Sequence, residues 1–313
     1  MALDSADADI QAAAKAERKS KKAERRAKQR ALNPLRAEKM HTARLAAPMV
    51  PAARNDDLPT LNIGCSGWFY WDWKGAFYPQ QMPTSQWFAH YAETFDTVEL
   101  NAPFYAWPTI ANVKSWLKQA GDAPFIYTVK VPELITHVER FEGTAGLVED
   151  FGYVADLLGP RMGCFLYQLP PSYDFSRERL QNILGQLQPN RRNVVEFRHA
   201  SWWTEEVYAA FRDAGIIFCA CSAPGLPDDL IRTHDEIYVR FHGPEKWYRY
   251  DYSDAELAVW AERIRDSGAK RAWIVGDSSL IRALLPSIRT IVQQRFTLEE
   301  EGASVSVLLA TNN

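Results

Sequence analysis

The feature that most restricts this chain is an alternation. From Leu61 onward, short runs rich in β-branched and aromatic residues recur eight times, at 61–68, 97–104, 125–132, 163–170, 193–200, 215–223, 236–243 and 271–278. Segments with helical spacing of their apolar residues lie between most of them or follow the last, at 85–95, 111–121, 255–268 and 280–294 among others. Strands alternating with helices build right-handed βαβ crossovers and a parallel sheet. Eight such units in about 250 residues match the size of an α/β fold of the (β/α)8 TIM-like barrel type. An open doubly wound sheet is the rival. The GCSGW of the first run lacks the complete Gly-x-Gly-x-x-Gly of a dinucleotide site, which disfavours it. With 47% hydrophobic residues the chain has material for a large core, and a wholly disordered protein is excluded.

Side chains alternate faces along a strand. In the second run Val98 and Leu100 oppose Glu99 and Asn101; in the third, Val129 and Val131 oppose Thr128 and Lys130. Val195 and Phe197 oppose Glu196 and Arg198 in the fifth run, and Val239 and Phe241 oppose Arg240 and His242 in the seventh. The apolar face should pack on the helices, turning the polar face into the lumen. Charges there cost several kcal/mol each unless paired, so packing alone does not call for them. They fall late in their runs, toward the C-terminal mouth where barrel enzymes keep their catalytic groups. Gln168 closes the fourth run and Asp277 lies near the end of the eighth.

These residue types suit acid–base work on an anion. Arg198 and Arg240 can clamp a phosphate or carboxylate, with Asn101, His137 and Gln168 as further substrate contacts. Glu99 or Glu196 is the expected general base, His242 an acid, and Lys130 a charge donor or nucleophile. The alternative is structural: Glu196 with Arg198 and Glu99 with Lys130 satisfying each other. Carboxylates and imidazoles together are compatible with a divalent metal, although no recognised ligand spacing is present and none is required. His199 has the wrong parity for the lumen.

The cluster WFYWDWKGAFYP at 68–79 follows the first strand and should overlie the same mouth. Trp68, Tyr70 and Trp73, with Tyr105 from the next loop, would then stack on a sugar or base; the alternative is that the loop aromatics bury one another. The four cysteines read as small buried hydrophobes in a reducing, cytoplasmic setting. No run approaches the roughly 18 apolar residues of a membrane span, and the opening residues lack a secretory apolar core.

The charge is unevenly spread. Residues 1–58 carry 13 Lys+Arg against 8 Asp+Glu, although the whole chain has a formal net charge of −3. Between Ile10 and Arg44 the imbalance is 12 against 3. This stretch favours helix by propensity yet shows no apolar stripe to dock, so 1–58 reads as a mobile or part-helical basic tail with a Pro/Ala linker, and 59–313 as the barrel domain. Residues 10–45 offer a polycation to nucleic acid or a ribosome, or merely a solvated tail.

The motifs GCSGWFYWDWKGAFYP, ELNAPFYAWP, KVPELITHVERF, LYQLPPSY, VEFRHASW and YVRFHG together resemble the YecE-like family, domain of unknown function 72. The resemblance spans Leu61 to about Ile291 and implies a TIM-like barrel with no established reaction. Its polar positions coincide with those selected by strand parity. Two departures stand out: Pro103 replaces a usual Ser or Thr, and Asp277 and Ser278 stand where the family carries paired asparagines.

Overall fold

A computed structural model describes residues 2–47, 56, 58, 60–248 and 250–276. Asp277, Ser278, the helical pattern at 280–294 and most of the Pro/Ala linker lie outside the described residues. Eight parallel strands close into a barrel in sequence order: β1 (Leu61–Cys65), β2 (Thr97–Leu100), β3 (Ile126–Lys130), β4 (Met162–Gln168), β5 (Asn193–Glu196), β6 (Ile217–Ser222), β7 (Glu236–Phe241) and β8 (Arg271–Gly276). The strand paired with β1 on its other side is β8, which removes both edges of the sheet. Gly64 permits the close approach of β1 to β2, since a Cβ there would lie 2.0 Å from the Thr97 carbonyl oxygen.

The crossovers carry α2 (Trp87–Thr94), α3 (Ala102–Tyr105), α4 (Ile110–Ala120), α5 (Ala145–Leu158), α6 (Arg177–Leu184), α7 (Glu205–Ala214) and α8 (Asp254–Asp266), preceded by the long N-terminal α1 (Ala2–Ala46). Caps fix several of these. Thr109 and Ser253 form capping boxes with Asn112 and Glu256, and Thr204 caps α7. The β6–β7 connection, 223–235, contains no helix.

Strand parity divides the interior in two. Val98, Val129, Phe165, Val195, Ile237, Val239 and Phe241 join the shell between sheet and helices. Ile126, Leu166, Val194, Cys219, Tyr238, Trp273 and Val275 fill the lumen. The lumen's N-terminal end is closed by charge. Glu236 accepts from Arg192 at 2.8 Å, Arg271 at 2.7 Å and the Trp273 indole at 2.8 Å. All four cysteines are buried and none forms a disulfide. No helix among the described residues is long and apolar enough to cross a membrane.

The expectation of an undocked tail is corrected. Residues 26, 30, 33, 37, 40 and 44 of α1 share one helical face, and this face meets the barrel domain. Asn33, Ala37 and Met40 are buried. Asn33 accepts from the Trp107 backbone N–H at 2.9 Å and donates to the Tyr105 carbonyl at 3.3 Å. Arg26 and Arg30 each donate to the buried Glu133 at 2.8 Å, and Arg44 and His41 lie 2.9 Å from Asp150. The helix docks through ion pairs, an amide and the apolar side chains of Ala37 and Met40, which join the core. Replacing Asn33 by Ala leaves the buried Trp107 N–H without its acceptor, and urea unfolding should show a loss of about 1–3 kcal/mol. An unchanged midpoint would mean that α1 does not hold the barrel.

Candidate active site

Glu99 on β2, Lys130 on β3, Gln168 on β4, Glu196 on β5 and Arg240 on β7 occupy lumen positions at or near the C-terminal ends of their strands. Arg198 and His242 extend the same parity just past β5 and β7. The side chains meet as one chain of contacts across the mouth. Arg240 donates from Nη2 to Glu99 Oε1 at 2.6 Å and from Nη1 to Glu196 Oε2. Arg198 donates from Nε to Glu196 Oε1, and its Nη2 lies 3.0 Å from His242 Nε2. The Tyr238 hydroxyl donates to Glu99 Oε2 at 2.9 Å, and Ser66 Oγ donates to Glu99 Oε1 at 3.3 Å. Of the two structural pairs the sequence suggests, Glu196–Arg198 is present. Glu99 instead pairs with Arg240, while Lys130 Nζ donates to Gln168 Oε1 at 2.6 Å.

Burial would raise the Glu196 carboxyl, but Arg198 and Arg240 outweigh it and hold it well below the usual range. Every carboxylate oxygen of Glu99 and Glu196 already accepts a hydrogen bond, and Glu196, held as an anion between two guanidiniums, is not poised to take a proton. Burial, then the Arg240 charge, lowers Lys130 to about 8. Its ammonium sits 4.3 Å from the centre of the Phe104 ring and the residue is 9% exposed. Burial and the two arginines push His242 well below its ordinary value, so the ring is neutral. Arg198 can only donate; Nε2 therefore accepts, and the ring proton resides on Nδ1. That Nδ1, like Arg240 Nε, is buried without a hydrogen-bond partner. Two orphan donors thus remain in a site where every oxygen of Glu99 and Glu196 is already engaged.

The other expected residues divide. Asn101 donates to the Ser66 carbonyl at 3.0 Å. His137, lowered to about 4 by burial and then Lys130, lies edge-on to Phe104 with ring centres 4.9 Å apart. His199 is a local cap, its Nδ1 2.7 Å from Ser201 Oγ. Trp73 is not a mouth aromatic: it is buried and stacks on Tyr91 of α2. Trp68 packs edge-on to Phe88 and Tyr70 donates to the Ser66 carbonyl at 2.5 Å, so the loop aromatics largely bury one another. Phe69 and Trp71 remain exposed, as does Tyr105. Sequence reasoning passed over Tyr238, which shares the parity of Arg240, and Trp247, whose ring lies 4.3 Å beneath the Arg198 guanidinium.

Glu196, Cys221 and His242 bring a carboxylate oxygen, a thiol and a ring nitrogen within 4.8 Å of one another, the set among the described residues able to converge on a metal ion. Both Glu196 oxygens are engaged by guanidiniums, and burial and Glu196 push the Cys221 thiol up to about 12. A cation would have to displace the arginines, so the donor set fits a metal poorly.

A family described as "protein of unknown function DUF72" matches residues 62–283. The chain belongs to the DUF72 family. It is 25% identical over 243 residues to UPF0759 protein YunF of Bacillus subtilis, covering 66% of this chain and 83% of that protein. It is 32% identical over 117 residues to UPF0759 protein YecE of Escherichia coli, covering 37% of this chain and 42% of YecE. The crystal structure of a DUF72 family protein from Thermotoga maritima is similar at a TM-score of 0.63 and 28% identity, over 77% of this chain and all of that one. α1 precedes the DUF72 region, so its docking residues lie outside the family match.

In this DUF72 barrel the arginines depend on their carboxylates. Glu196→Gln should cost about 3–5 kcal/mol in urea unfolding, because two buried guanidiniums lose their counter-charge. The same change at exposed Glu139 should be nearly silent. Equal, small effects at both sites would contradict the coupled network.

Proposed function

We propose that the chain is a barrel enzyme, hydrolase- or lyase-like, that binds a small anionic substrate at the C-terminal mouth and uses Lys130 as its general base. The observation that carries this reading is Lys130 itself, a buried amine beside two arginines with its affinity for a proton lowered to about 8. A base with a pKa near working pH combines a usable neutral fraction with driving force for proton removal. The carboxylates expected to serve as bases are better suited to holding Arg198 and Arg240 in place.

Charge supports an anionic substrate. Glu99 and Glu196 offset Arg198 and Arg240, and protonated Lys130 leaves the mouth one charge positive. The orphan His242 Nδ1–H supplies a donor for a substrate oxygen, and a neutral imidazole can polarise such an oxygen without carrying charge. Phosphorylated, sugar-like and nucleotide-derived compounds offer the matching acceptors. Buried thiols without disulfides support a reducing, cytoplasmic compartment.

Turnover of a panel of phosphorylated and carboxylated metabolites tests the proposal. For any compound turned over, kcat/KM should rise with pH to a plateau above about 8. Lys130→Met should lower it by roughly 10²–10⁴-fold. A Lys130→Met enzyme with wild-type turnover and an unshifted pH profile would sink the assignment.

A further inference from the structure

α1 runs past the barrel mouth as well as bracing the wall. Arg26 and Arg30 are anchored on Glu133, which follows β3. One turn toward the N-terminus, the same helix faces α3 across a groove of about 450 Å³, lined by Lys22, Arg25, Arg26, Gln29 and Tyr105, with small Ala102 and Ala106 beside them. The volume suits a small organic unit such as a nucleotide. Among the described residues neither Lys22 nor Arg25 takes part in an ion pair. The Tyr105 ring is 46% exposed, with the Arg26 guanidinium 5.3 Å from its centre. Tyr105 meets Phe104 edge-on at 5.0 Å, and Phe104 covers Lys130. Cations, an exposed ring and the mouth are therefore contiguous.

We propose that this groove binds single-stranded nucleic acid, with backbone phosphates on Lys22 and Arg25 and a base stacked on Tyr105, so that the strand leads into the mouth. The inference rests on reading the mouth as an active site, and it names the substrate class: the small anionic unit in the mouth is the end nucleotide of the strand. Unpaired cations beside an exposed aromatic ring are what single strands use: charge follows the backbone, and every base offers a face to stack. α1 around the groove is polar on all sides, with Arg18, Lys19, Lys21 and Lys28 exposed as well, and offers no apolar face for a lipid surface. A peptide phosphate would use the cations but leave the ring idle.

The test is fluorescence anisotropy of labelled oligo(dT) and oligo(U), roughly 12 nucleotides long, with the full chain across a salt series. Lys22→Glu/Arg25→Glu should weaken binding at least tenfold and flatten the log–log salt slope by about 1.4, two single-strand phosphate contacts. Tyr105→Ala should cost about tenfold through lost stacking. The control pair Lys114→Glu/Lys118→Glu on α4, which lines no part of the groove, should bind as wild type. Absence of saturable wild-type binding, equal weakening by the control pair, or an unaffected Tyr105→Ala would each overturn the inference. So would binding to phosphatidylserine vesicles or a phosphoserine peptide in place of the oligonucleotides. Lys130→Met should retain oligonucleotide binding. Normal turnover in Lys130→Met alongside groove-dependent binding would overturn the mouth assignment alone. A dead Lys130→Met alongside unchanged binding in the Lys22/Arg25 variant would overturn the groove alone.

Discussion

Arg240 holds two carboxylates from separate strands, Glu99 of β2 and Glu196 of β5, with one guanidinium. Each of the three would be costly to bury alone. Joined, they span the lumen, and both carboxylates are left without an unoccupied oxygen. Arg198 then completes Glu196 and turns Nη2 toward His242. That single contact decides which imidazole nitrogen keeps the proton. The acid–base character of the mouth follows: Glu196 held as an anion, an imidazole held neutral, and Lys130 lowered to about 8.

The two ends of the lumen use the same chemistry to different effect. At the N-terminal end Glu236 is saturated by Arg192, Arg271 and the Trp273 indole, which closes the barrel with hydrogen bonds. At the C-terminal end every oxygen of Glu99 and Glu196 is also engaged, but donors on His242 and Arg240 are left over. This excess of donors is what the proposed anionic substrate would meet. It opposes a cation at the Glu196–Cys221–His242 trio.

Much of this is legible in the chain. The eight-fold alternation gives the barrel, and the parity of Glu99, Lys130, Glu196 and Arg240 against their valines puts them in the lumen, where they lie. Parity says which face, not which partner. Glu99 and Arg240 are 141 residues apart, and their contact depends on closure and register, so a local pairing of Glu99 with Lys130 reads equally well from sequence. Tyr238 has an aromatic's ordinary place in a strand, and only its hydroxyl's contact with Glu99 gives it a polar role. The docking of α1 is hidden for a different reason. Its contact face is written as Arg26, Arg30, Asn33, Ala37, Met40 and Arg44, whose apolar part is small and confined to the last turns, and its partners Glu133 and Asp150 are over a hundred residues away. The aromatic loop misleads in the opposite sense: Trp73 resembles a binding-site ring in sequence and packs as core.

The tautomer of His242 is the most direct measure of whether the arginine network governs the mouth. A long-range ¹H–¹⁵N spectrum of the labelled protein reports the protonation of each ring nitrogen. Between about pH 5 and 8 it should show Nδ1 protonated and Nε2 bare, with no titration across the ordinary histidine range. A ring that gains a second proton near its usual pKa, or that carries its proton on Nε2, would mean that Arg198 does not set its state.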